Sequence, residues 1–113
     1  MADKRIHVRH KKRLPIRFGT DEAARVAFTE DISATGMFIK TANICQPNTL
    51  LLIEFDLAGT TVKLVARVMW ARKVPQNLFH LVKKGGMGVR FVRFEAGEKQ
   101  LACFLDAAAV KKS

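Results

Sequence analysis

The clearest pattern in the chain is an alternation between residues 61 and 72. Val62, Leu64, Ala66, Val68 and Trp70 share one face, and Lys63 and Arg67 lie on the other. Successive side chains of a strand point to opposite faces, so a period of two over this length predicts a half-buried β-strand. "TLLLIEFDL" at 49–57 alternates in the same way, with Leu51, Ile53, Phe55 and Leu57 facing one side and Glu54 and Asp56 the other. "AGT" at 58–60 turns the chain between the two segments, and "QPN" at 46–48 is also turn chemistry. "RLPIRF" at 13–18 predicts a first strand, entered through a proline as a first strand allows. Residues 22–30 predict a second, with Ala24, Val26 and Phe28 on one face, and "GMFIKT" at 36–41 a short third. Residues 73–85 read as a loop holding Pro75, Asn77 and Gly85, with room for a short strand from Phe79 to Val82. "GMGVRFVRF" at 86–94 returns as a strand whose leading glycines imply a bend or a close approach of backbone.

The period then changes. Leu101, Phe104, Leu105 and Ala108 recur at i, i+3, i+4 and i+7, the stripe of an amphipathic helix from about Ala96 to Val110. Glu95 and Glu98 stand near its start and Lys111 and Lys112 at its end, as the helix dipole favours. About six short strands followed by one such helix predict a mainly β fold, an antiparallel barrel or curled sheet whose open end or face the helix covers. A length of 113 residues suits one domain with one core.

Charge adds an asymmetry. Residues 1–18 hold Lys4, Arg5, Arg9, Lys11, Lys12, Arg13 and Arg17 against the single acid Asp3, a net +6 of the chain's +10. Such a field attracts polyanions, whether nucleic acid, nucleotide phosphates or anionic lipid; a solvated basic tail is the plainer reading. No apolar run is long enough to span a bilayer, and no apolar segment follows the basic start as in a signal peptide, so the expected compartment is the cytoplasm, without membrane insertion. Cys45 and Cys103 match no metal-ligand or redox spacing and are expected to be small core residues.

Catalysis finds little support. His7, His10 and His80 are scattered, paired carboxylates are not evident, and neither a metal-ligand pattern nor a phosphate loop occurs. The expectation is therefore a non-enzymatic protein with neither cofactor nor metal, which leaves binding. Arg9 and Arg13 in "RHKKR" suit phosphate and guanine because a planar guanidinium donates two parallel hydrogen bonds to either, whereas lysine offers a point charge. "DISATG" at 31–36 sets Asp31, Ser33 and Gly36 at spacings of two and three. A carboxylate accepts from the N1–H and N2–H₂ donors of guanine, a hydroxyl serves another polar atom, and glycine lets a ligand approach the backbone. Taken alone, this stretch reads first as a turn between strands, in which Asp and Ser bond local amides.

Taken together, the two motifs resemble those of the PilZ domain, a bacterial receptor for cyclic di-GMP, whose marks are RxxxR and then (D/N)xSxxG. "RHKKRLPIRF", "DISATGMFIKT", "ARVMW" at 66–70 and "GMGVRF" at 86–91 follow the family's order over nearly the whole chain. The resemblance implies a six-stranded antiparallel β-barrel, of the split PilZ-like kind, spanning 13–113 with its C-terminal helix. Before it, at 1–12, lies a flexible basic arm carrying the first part of RxxxR. It further implies that Arg9 and Arg13 grip the phosphates and guanines of cyclic di-GMP, that Asp31 and Ser33 recognise a guanine, and that Gly36 keeps the surface open. Arg5 and Arg9 give a second RxxxR register in which Arg5 assists; His10 and Gly88 are further candidate contacts. Val8, where an arginine in the family favours a stacked ligand dimer, implies one bound molecule. With no Tyr in the chain, ring stacking falls to Arg, His or Trp70, and Trp70 is equally a core residue by its pattern. The implied mechanism is a charged, self-repelling arm that the ligand folds onto the barrel, making a surface for a protein effector. A small RNA- or DNA-binding barrel is the alternative from charge, and a PilZ-like adaptor that binds no nucleotide is a third reading.

Overall fold

The computed structural model describes residues 13–73 and 85–112, apart from the side chains of Glu30 and residues 107–112. Arg5, Val8, Arg9, His10 and the expected strand at 79–82 lie outside the described residues. Among the described residues, six strands, β1 (Leu14–Gly19), β2 (Arg25–Ile32), β3 (Gly36–Lys40), β4 (Leu50–Leu57), β5 (Thr60–Arg72) and β6 (Gly86–Ala96), precede one helix, α1 (Glu98–Lys112). The strands close into an antiparallel barrel in the order β1-β2-β3-β6-β5-β4.

The alternation in the sequence becomes the inside and outside of this barrel. Leu51, Ile53, Phe55 and Leu57 of β4 and Val62, Leu64, Ala66 and Val68 of β5 are buried, joined by Ile16 and Phe18 of β1 and Met37 and Ile39 of β3. Burying a side chain of this size stabilises the fold by about 1.5–3 kcal/mol, so the filled interior dominates stability. β4 and β5 meet in a two-residue hairpin, Leu57 pairing with Thr60. Its central residues Ala58 and Gly59 have φ of +48° and +85°, the positive values that a type I′ turn requires. The helix begins as the Leu101 N–H donates to the Gly97 carbonyl, 3.0 Å away. Leu101 and Leu105 then enter the core, and α1 packs against β4 and β5.

The structure decides three points. The face of β2 that carries Val26 and Phe28 is the outer one: Val26 is 71% exposed, while Ala27 and Thr29 point inward. Cys103 is exposed and not a core residue, whereas Cys45 packs on the core and donates its N–H to Met87 Sδ at 3.1 Å. Trp70, in phase with the buried face of β5, is 47% exposed, because the β5–β6 register shifts between Val68 and Trp70.

Candidate functional site

The "DISATG" segment divides between strand and turn. Asp31 and Ile32 end β2, Ser33 to Thr35 turn, and Gly36 opens β3. Ser33 is buried at 1% exposure, and its hydroxyl organises the turn. Ser33 Oγ accepts from the Thr35 N–H at 3.2 Å and the Gly36 N–H at 3.3 Å, and lies 3.3 Å from the Gly36 carbonyl, to which it donates. The Ser33 N–H closes the reversal by donating to the same carbonyl at 2.9 Å.

Gly36 is required by the protein's own backbone. A Cβ there would fall on the Val89 carbonyl oxygen of β6, so glycine is what lets β3 and β6 approach. Gly88, two positions along the same ladder, lies beneath the indole of Trp70, and a Cβ on it would strike Trp70 Nε1. The indole stacks on Phe38, with ring centroids 5.6 Å apart and planes 25° apart. Phe38, Gly88 and Trp70 thus form one row across β3, β6 and β5, and Asp31 pairs with Phe38 at the β2 end of that row.

Asp31 reaches this position through a bulge. The β2–β3 register shifts between Thr29 and Asp31. The buried Thr29 hydroxyl holds the irregularity, donating to the Asp31 carbonyl at 3.2 Å and accepting from the Asp31 N–H at 3.4 Å. An extra residue in one strand re-aims the side chains beside it, as bulges near functional sites do.

Arg13 adjoins the same wall. Leu14 pairs with Thr29, so the preceding residue lies beside the bulged stretch of β2. The Arg13 guanidinium carbon rests 4.3 Å from the centroid of the outward Phe28 ring, a cation–π contact.

These elements surround a cleft of about 400 Å³ lined by Ser33, Thr35, Gly36, Met69, Trp70, Gly88, Val89 and Arg90. Ser33, Gly36 and Gly88 of the sequence candidates are therefore together. Asp31 and Arg13 stand on the adjoining outer wall and are not part of the lining. Arg90, Met69 and Thr35 were missed. Arg90 had a signal, since it falls on the outer phase of "GMGVRF" opposite the buried Val89. The Met69 and Trp70 positions depend on a register shift that leaves no mark in the sequence.

A larger groove, about 570 Å³, runs between α1 and the β4–β5 hairpin, lined by Leu14, Leu57, Phe104 and Cys103, with Asp56 and Lys99 among its polar groups. Its mainly apolar lining suits a dianion poorly. Among the described residues no three His, Cys, Asp or Glu side chains gather as a metal site would require, and no helix is long and apolar enough to cross a membrane.

No curated protein matches the chain. Among solved structures, the fold is similar to that of the Bacillus subtilis inhibitor of motility MotI/DgrA, with a TM-score of 0.74 at 19% identity. The likeness covers 95% of this chain but 51% of that one, so the chain spans about half the length of the neighbour. The sequence profile of the PilZ domain matches residues 3–107, all six strands of the barrel and most of the helix. By that match and by its closed six-stranded barrel with a C-terminal helix, the chain belongs to the PilZ domain family.

Proposed function

We propose that this chain is a non-enzymatic receptor for cyclic di-GMP. In this reading the cleft between the Ser33–Gly36 turn and Trp70 takes a guanine, and the indole, half-exposed and backed by Phe38, supplies the stacking surface. Asp31 accepts from the Watson–Crick edge of the base. Arg13 and Arg9 grip the phosphates, with Arg5 and His10 assisting. Ser33 acts through the turn it holds, since its hydroxyl is engaged by backbone groups. One ligand molecule is bound, as Val8 implies. Closing the arm over the ligand makes a new surface for a protein effector in the cytoplasm, and motility, which the B. subtilis neighbour inhibits, is the first output to test.

The observation that carries this reading is the convergence on one outer wall. The last arginine of RxxxR sits on Phe28, and Asp31 lies in the row that ends at Trp70. The test is calorimetric titration of the full chain with cyclic di-GMP, beside Arg13→Ala and Arg13→Lys. A charge-assisted hydrogen bond contributes about 1.5–3 kcal/mol, so Arg13→Ala is expected to weaken binding about 10- to 150-fold. Arg13→Lys keeps the charge and loses the fork, and is expected to fall between the two. No heat of binding at millimolar ligand would refute the proposal. A nucleic-acid barrel would instead bind oligonucleotides with affinity falling steeply as salt rises, a dependence that a dinucleotide shows only weakly.

A further inference from the structure

β5 and β6 place two arginines directly opposite one another. Arg67 pairs with Arg90, and the row continues to Leu50 on β4 and to Gly36 on β3. Both arginines are exposed and lie on the outer face, since their neighbours Val68 and Val89 point into the core. Opposed residues in an antiparallel ladder have Cα atoms about 4.5–5.5 Å apart, and like charges at that spacing repel. Nothing in the row neutralises them, because its other members are a glycine and a leucine. The ion pairs among the described residues go to Arg17, with Glu54, and to Arg93, with Glu95.

Local frustration of this kind has a use where an anion comes to lie between the two cations. Arg90 lines the cleft opposite the Ser33–Gly36 turn, and Met69 and Trp70, two and three residues beyond Arg67, line it as well. We propose that Arg67 and Arg90 form a fixed anion subsite at the rim of the cleft, which takes one phosphodiester of the bound dinucleotide. The inference rests on the cyclic di-GMP reading above and adds a division of labour to it. The RxxxR arginines precede the first strand, whereas Arg67 and Arg90 are anchored on a hydrogen-bonded ladder and are preorganised before the ligand arrives. The subsite orients the ligand on the barrel.

The test compares full-length wild type with Arg90→Gln, Arg67→Gln and, as a control for net charge, Arg25→Gln at the far end of β2. Calorimetry with cyclic di-GMP gives affinity, and thermal melting without ligand gives stability. Arg90→Gln is expected to lose about 10- to 100-fold in affinity, the equivalent of one charge-assisted hydrogen bond. Arg67→Gln, one strand further out, loses less, and Arg25→Gln stays within twofold. Because each cleft variant relieves the Arg67–Arg90 repulsion, its ligand-free Tm is expected to rise by about 1–5 °C at low salt. If wild type binds and Arg90→Gln binds within twofold of it, the subsite is refuted while the receptor reading stands. If wild type gives no binding, the receptor reading fails and the subsite with it. Lost affinity accompanied by a lowered Tm assigns Arg90 a structural role and also overturns the proposal.

Discussion

Replacing Ser33 by Ala separates two roles that the motif leaves confounded, shaping the turn and touching a ligand. The side chain loses one oxygen and leaves almost no cavity, so packing is unchanged. The Thr35 N–H, at 3.2 Å, and the Gly36 N–H, at 3.3 Å, lose their acceptor, and Gly36 is buried where water does not replace it. An intramolecular hydrogen bond is worth about 0.5–1.5 kcal/mol net, and a buried donor left unsatisfied costs about 1–3 kcal/mol. The long distances place each bond at the weak end, so the expected loss is about 2–3 kcal/mol, most of it from the orphaned Gly36 N–H. For 113 residues, an unfolding entropy of about 2.1 cal/mol/K per residue turns that into a fall in Tm of about 8–12 °C. The assay is urea and thermal unfolding followed by circular dichroism, with the urea m-value expected to be unchanged because the same surface is exposed. A Ser33→Ala protein that melts within about 2 °C of wild type would refute the staple role. If that protein also failed to bind cyclic di-GMP, the hydroxyl would belong to ligand recognition instead.

Trp70 is the chain's single tryptophan and there is no tyrosine, so its emission reports on the cleft without interference; titration with cyclic di-GMP should change it saturably, and a flat signal alongside measured calorimetric binding would place the ligand elsewhere. Gly88→Ala pushes a methyl group into the indole and should lift it from Phe38, raising its quenching by acrylamide and removing a stacking contribution of about 0.5–1.5 kcal/mol; unchanged quenching would refute the close approach. Ala58 holds φ of +48° in the β4–β5 hairpin, a region unfavourable to alanine and favourable to asparagine, so Ala58→Asn should stabilise the fold by about 0.5–1 kcal/mol in urea melts, and any loss of stability would contradict the turn assignment.

Much of the barrel was legible because one face of each strand is buried. The alternation of "TLLLIEFDL" and of Val62 to Val68 maps directly onto the core, and the leucines of α1 onto its helical stripe. For the second strand the pattern groups Val26 and Phe28 on one face without giving its direction; the barrel buries the smaller Ala27 and Thr29 and leaves Phe28 outside, under Arg13. Cys103 misled for a related reason: residue type indicates what burial is favourable, while position on the helix decides whether it happens. Within the site, Ser33, Gly36 and Gly88 were legible as motif residues. Their physical roles were not, since the hydroxyl serves the turn, and both glycines answer to neighbours from other strands that are remote in sequence.

The position of the cleft follows from the size of the barrel. Six strands enclose a space that their own side chains fill, so a ligand must bind on the outside, where a pleated wall is ordinarily convex. Concavity has two sources in this wall. The floor is lowered where β3 and β6 present Gly36 and Gly88 instead of side chains. One side is raised by the register shift at Val68/Trp70, which brings Trp70 to the flank of the floor, while the shift at Thr29/Asp31 sets Asp31 on the adjoining wall. Glycines can be read from a sequence, but a register shift is a relation between two strands and is invisible in either one. The consequence is testable at the level of the fold: a substitution that fills the floor and one that restores regular pairing at the Trp70 flank should both abolish the cleft, although they lie on different strands. Gly36→Ala is a poor choice for the first, because its methyl group collides with the Val89 carbonyl and would destabilise the ladder itself. Gly88→Ala is the better one, because its methyl group meets a half-exposed side chain, the indole, instead of backbone.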